Sequence, residues 1–210
     1  MKSILFMVVI ICFFPLTFFP VKAFGVSEGI EIYEIEKKVV VSGFLNTRYL
    51  RKPSATVVVY REGFSAKRSL FISHADPFEL IEGLLQIDAI PGVVSVDSPE
   101  EDIREGSRLN VFIRWEGTPR AYALSEIVES NFRNEFDIRF LGNIENVEKV
   151  KSGDLLCLDS CNVGITGNVS IGGDAYDRGE VTFNVNRKIL PPNGTEVEII
   201  FQLVSAEVPE

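Results

Sequence analysis

Two cysteines four positions apart, Cys157 and Cys161, are the sharpest chemical feature of this 210-residue chain. Two sulfurs can close one bridge, join a mixed metal site or form a thiol couple, but a cubane cluster takes four thiolates. Their C-x-x-x-C spacing also differs from the C-x-x-C of thioredoxin-like redox motifs. If Leu158 to Ser160 coil helically, positions i and i+4 share a face and a disulfide closes with some strain. A stabilising bridge around a tight turn is the favoured reading, and a strained, reducible bridge is its redox alternative. The metal alternative adds Asp154 and Asp159 to the thiolates of Cys157 and Cys161 as mixed ligands. Zinc accepts such a set, although structural zinc sites normally show two separated ligand pairs and only one compact group stands here.

His74 is the only imidazole, and Asp76 follows it at the start of an expected helix. A positive helix end favours neutral imidazole, which suits a base or a ligand, so His74 and Asp76 form a second polar candidate. No serine or cysteine nucleophile with a third orienting group stands nearby, and no catalytic residue is assigned. A solvated loop residue or a capping partner is the ordinary alternative. The acidic run Asp97, Glu100, Glu101 and Asp102 offers oxygens to calcium but lacks the alternating ladder and central glycine of a calcium-binding hand, so a solvated turn is expected. Trp115, Phe112 and Tyr122 are a stacking surface or core; alternation sets Trp115 on the face of Ile113, which favours core. Asn168 and Asn193 each open a formal glycosylation sequon.

These residues need elements to position them. From Ile30 to Tyr60 the chain shows short β-rich runs, EIYEIEKKVVVSGFL and ATVVVY, joined by a basic link from Arg48 to Pro53. Arg61-Glu62-Gly63 is a turn and Ser69–Ile72 a short strand. The clearest helix spans about 76–89: Asp76 as N-cap, Pro77 at the first position and Glu79 three residues after the cap. Phe78, Ile81, Leu84 and Leu85 recur on one face until Pro91-Gly92 stops it. Leu109, Val111, Ile113 and Trp115 alternate with Asn110, Phe112, Arg114 and Glu116 in a strong strand, closed by Gly117 and Pro119. A short helix is expected over 123–128 with Ser125 as its cap, then strands at 136–140, 164–169, TFNV and 197–203. The fold class expected is α+β: a mostly antiparallel sheet with one main amphipathic helix, in a single domain.

Composition supports a globular chain with 46% apolar and 24% charged residues. A formal charge of −9 disfavours phosphate-backbone binding, so no nucleic-acid partner is expected. Lys2, the apolar stretch Ile4 to Val21, and Val21-Lys22-Ala23 read as a signal peptide over 1–23, leaving 24–210 as the domain. The competing reading is an uncleaved anchor, since about 18 apolar residues approach the length of a bilayer span. Pro15 and Pro20 oppose it, because each removes a backbone donor where lipid offers no replacement. Cys12 falls inside this segment, without the small residues of a lipidation site. The expected location is secreted, periplasmic or otherwise extracytoplasmic, where disulfides persist.

Three segments together resemble the YdjY-like family of exported proteins: LFISHADPFELIEGLLQIDAIPG; RLNVFIRWEG with ALSEIV; and FDIRFLGN running into GDLLCLDSCNVGITGN. The resemblance covers about residues 40 to 204. It implies an exported domain of undefined biochemical role, some of whose members carry iron–sulfur or ferredoxin-type labels. The chain departs from the pattern twice, with Lys67-Arg68 where many relatives place His-Glu and Asp154 where some have a further cysteine. Both departures weaken the transfer of metal or redox chemistry. The expected function is an exported accessory or binding domain, non-enzymatic and stabilised by one disulfide. Its partner would be an envelope or extracellular protein or a small ligand, with membrane contact only through an uncleaved signal segment and no cofactor. The alternative is an extracytoplasmic thiol-redox protein, or one holding an iron–sulfur cluster or zinc at the CLDSC segment.

Overall fold

A computed structural model of the chain describes residues 29–92, 106–132, 136–160, 163–173 and 175–204. The proposed signal segment, the acidic run at 97–102 and Cys161 lie outside them. Twelve strands and three short helices follow in order: β1 (Ile30–Tyr33), β2 (Lys38–Leu45), β3 (Thr56–Tyr60), β4 (Phe71–Ser73), α1 (Pro77–Gln86), β5 (Arg108–Trp115), β6 (Tyr122–Ala123), α2 (Leu124–Ile127), β7 (Val128–Ser130), β8 (Ile138–Phe140), α3 (Ile144–Val150), β9 (Asp154–Cys157), β10 (Thr166–Asn168), β11 (Phe183–Val185) and β12 (Glu196–Leu203).

Eight of the strands close into a barrel in the order β2-β12-β5-β8-β10-β9-β3-β4, and β4 pairs back onto β2 through Gly43↔Ser73, Phe44↔Ile72 and Leu45↔Phe71. This corrects the α+β expectation of an antiparallel sheet served by one main amphipathic helix. The sheet protects its edges by pairing them with each other, which removes the need for a covering helix. Two neighbouring pairs, β3–β4 and β9–β10, are parallel. β1 extends the free half of β2's edge, β6 lies on β5, and β7 pairs with β11 in a separate small sheet.

The interior follows from period-two patterning. Val39, Phe201 and Val111 stand in register across β2, β12 and β5; Val41, Ile199 and Ile113 form the next row; Gly43, Val197 and Trp115 the third. Each side chain in these rows is buried, while Arg114 and Glu198 pair on the outer face. Trp115 is therefore core, as its alternation predicts, and its ring stacks on Tyr122 at 5.1 Å.

The start of α1 forms as its residues dictate. Asp76 accepts the Glu79 backbone N–H at 2.9 Å, and Glu79 accepts the Asp76 N–H at 2.7 Å, with Pro77 supplying a fixed φ. Removing this cap with Asp76→Ala lowers the unfolding free energy by about 1 kcal/mol, measurable by urea titration. The buried face of α1 is Pro77, Leu80, Gly83 and Leu84; Phe78 and Leu85, expected on it, remain about half exposed. α1 touches β1, β2 and β9. Since β4 and β3 separate β2 from β9 around the barrel, this contact set lays the helix across one barrel mouth. The short helix after β6 is capped differently from expectation: Glu126 accepts the N–H of Ala123, and Ser125 plays no such part. No helix among the described residues is long and apolar enough to cross a membrane.

Candidate functional site

The predicted cysteine segment begins as a buried strand. Asp154 opens β9 and Cys157 ends it; Leu158 then donates its N–H to Ala55 O, and Ser160 donates to Ile171 O. Residues 158–160 thus run between neighbouring segments, without the helical coil that would set positions 157 and 161 on one face. Cys157 is 2% exposed, and its Sγ lies 3.5 Å from Asp159 Oδ1. Asp154 is equally buried, and its Oδ1 has no hydrogen-bond partner among the described residues. Burial, and after it the charge of Asp159, push the Asp154 carboxyl up to about 7. Among the described residues, no three His, Cys, Asp or Glu side chains converge where they could hold a metal ion.

His74 and Asp76 do not act on a common point. His74 leaves β4 with its ring 5.8 Å from Phe44 and its Nε2 3.6 Å from Glu196 Oε2. Asp76 instead caps α1 and faces a groove. The sequon residue Asn168 is buried and structural: its carboxamide accepts from Asp137 N–H and Ser170 and donates to Leu158 O. Asn193 is exposed in a turn, where its Oδ1 accepts from Thr47.

That groove is the site sequence reasoning missed. It is an open groove of about 330 Å³ between the end of β3, the first turn of α1 and the end of α3. Tyr60, Pro77, Phe78 and Val147 supply apolar wall; Glu62, Asp76, Glu148 and Lys151 supply charge. Its floor is fixed by backbone. Tyr60 donates its N–H to Gly153 O at 2.8 Å, and Phe64 donates to Lys151 O at 3.1 Å. Between these bonds Gly63 and Gly153 touch back to back: a Cβ on Gly63 would lie 2.5 Å from Ser152 O, and one on Gly153 would lie 2.6 Å from the Gly63 Cα. Gly153 also needs its glycine for a φ of +70°.

The floor gives the groove its shape. Lys151 ends α3 in the left-handed region, which turns the chain into β9, and the two glycines let that turn pack directly on the turn after β3. The available signals were Arg61-Glu62-Gly63, which reads as a turn, and Asp76, already singled out. Nothing local links them to Glu148 or Lys151, because α3 carries only one buried apolar residue, Val147.

Comparison with known proteins agrees with the resemblance drawn from the three sequence segments. The profile of the YdjY domain matches residues 30–202. The chain is 33% identical over 161 residues to the uncharacterized protein YdjY of Escherichia coli strain K12, covering 76% of this chain and 72% of that relative. No solved structure matches. The match takes in β1 through almost all of β12, hence the whole barrel and every wall of the groove. With a domain profile spanning the barrel and a relative aligned over most of both chains, the protein belongs to the YdjY family.

Proposed function

We propose that the protein is an exported binding domain that holds a small ligand in the groove between β3, α1 and α3. The observation carrying this reading is the groove itself: mostly apolar, with a few charged groups on its rim and a floor tied together by backbone bonds. Sites for small molecules share that composition, and a floor so tied reduces the ordering cost of binding. Export is supported by the Lys2-to-Ala23 segment. Amide shifts mapped with a fragment set of small aromatic amines, alcohols and acids should cluster on Tyr60, Gly63, Phe78 and Lys151. Shifts that cluster elsewhere, or none at millimolar fragment, refute the site.

The second part of the proposal joins Cys157 to Cys161 as a structural bridge suited to an oxidising compartment. Burial of Cys157 favours a structural over an exchanging role, because attack on a disulfide needs an accessible sulfur. Titration of unfolded, signal-free protein should find no thiol before reduction and two after it. Two thiols before reduction, in protein purified aerobically from an exporting host, would remove the bridge.

A further inference from the structure

We infer that the groove selects organic cations, namely small ligands that join a protonated amine to an apolar body. This rests on the groove being the binding site, and it follows from how the lining charges are left. Glu62 and Glu148 are exposed on its rim, and neither makes an ion pair among the described residues. Lys151 lines the same groove without pairing to either of them. Asp76 adds a third carboxylate, whose Oδ1 accepts the Glu79 N–H. The lining therefore carries three acidic groups against one basic group.

A carboxylate or phosphate ligand would meet three like charges and one ammonium. A neutral ligand gains nothing from Glu62 and Glu148, which stay solvated on the rim. A cation gains attraction from the acidic excess of the lining. Tyr60 and Phe78 also line the groove, and aromatic rings attract ammonium groups as well as apolar bodies. Phe78 stays 45% exposed in the first turn of α1, whereas the buried face of the helix is filled by other residues. A volume near 330 Å³ suits one ring with a short chain. The acidity of the chain as a whole, −9 in formal charge, raises the local concentration of cations around this rim.

Three probes of one shape test the inference: 2-phenylethylammonium, 2-phenylethanol and 3-phenylpropanoate, each titrated into the protein while backbone amide shifts are followed. The ammonium should bind about tenfold more tightly than the alcohol, and the carboxylate weakest of the three. The double variant Glu62→Gln/Glu148→Gln should lose that advantage and leave the alcohol's affinity unchanged. If the alcohol matches the ammonium while shifts still map to Gly63, Phe78 and Lys151, cation selectivity is wrong and the groove remains the site. If no probe moves those amides, the groove assignment itself is wrong. Unchanged ammonium affinity in the double variant would also overturn the inference, since the two carboxylates would then play no part.

Discussion

Asp154→Asn stabilises the protein above neutral pH and leaves it nearly unchanged at pH 4. Asp154 is buried at the start of β9, with an unpartnered Oδ1 and a carboxyl pushed up to about 7 by desolvation and by Asp159. In the unfolded chain the same group titrates at about 3.9. Between those two values the native state keeps a proton that the unfolded state releases, so stability falls as pH rises through that window. Above it both states are ionised and the native one carries the full cost of a buried charge. The displacement, about three pKa units, corresponds to a cost of roughly 4 kcal/mol as an upper figure. Asparagine has nearly the same shape, keeps a donor where the protonated acid had one, and cannot ionise. Urea titrations at pH 4, 5.5, 7 and 8.5 should show the wild-type curve dropping away from that of the variant. Parallel curves would mean that the carboxylate finds compensation when charged.

The same substitution separates two accounts of the CLDSC segment. If Asp154 and Asp159 were ligands to a cation, the ion would lower both carboxyl pKa values, and Asp154→Asn would weaken the fold at neutral pH. If the pair is structural, the variant gains stability there. The sign of one measured difference distinguishes them.

What the sequence made legible was local. The alternation from Leu109 to Trp115 reads as a strand because each inward residue meets partners in register on β12, and one slip would expose the whole set. Asp76, Pro77 and Glu79 read as a helix start because the cap is made within four residues. The apolar face of α1 was less legible: Phe78 and Leu85 fit the helical period but stay half exposed, since a helix across a barrel mouth buries a narrow stripe. Closure was not legible at all. It depends on β4 returning to β2 and on β3 meeting β9, pairings decided by partners remote in the chain. The groove was hidden for the same reason, since its floor is a contact between Gly63 and Gly153 and neither glycine differs locally from an ordinary turn residue. The acidic count was visible from the start, but not that Glu62 and Glu148 would face one cavity.

Gly43→Ala opens the barrel at the short seam between β2 and β4. Gly43 lies in the inward row with Val197 and Trp115, on the strand that receives β4. A Cβ there would stand 2.5 Å from the carbonyl oxygen of Ile72 and 3.2 Å from the Ser73 Cα. Both obstacles are backbone, so no side chain can rotate away, and the β2–β4 seam is only three residue pairs long. Displacing β4 also disturbs its parallel pairing with β3 and the buried Phe71. The expected loss is ~3 kcal/mol, the scale of overpacking in a well-filled core. Gly172→Ala is the control, because a Cβ there meets nothing within 4 Å, and it should change stability by under about 0.5 kcal/mol. Hydrogen exchange locates the damage: in Gly43→Ala the amides of Phe71 to Ser73 should lose protection while those of β5 and β12 keep theirs. Uniform loss across all strands would show that the barrel yields as one unit, and a cost below about 1 kcal/mol would show that the seam has room to move. Either result would place closure elsewhere than at the contact between Gly43 and Ile72.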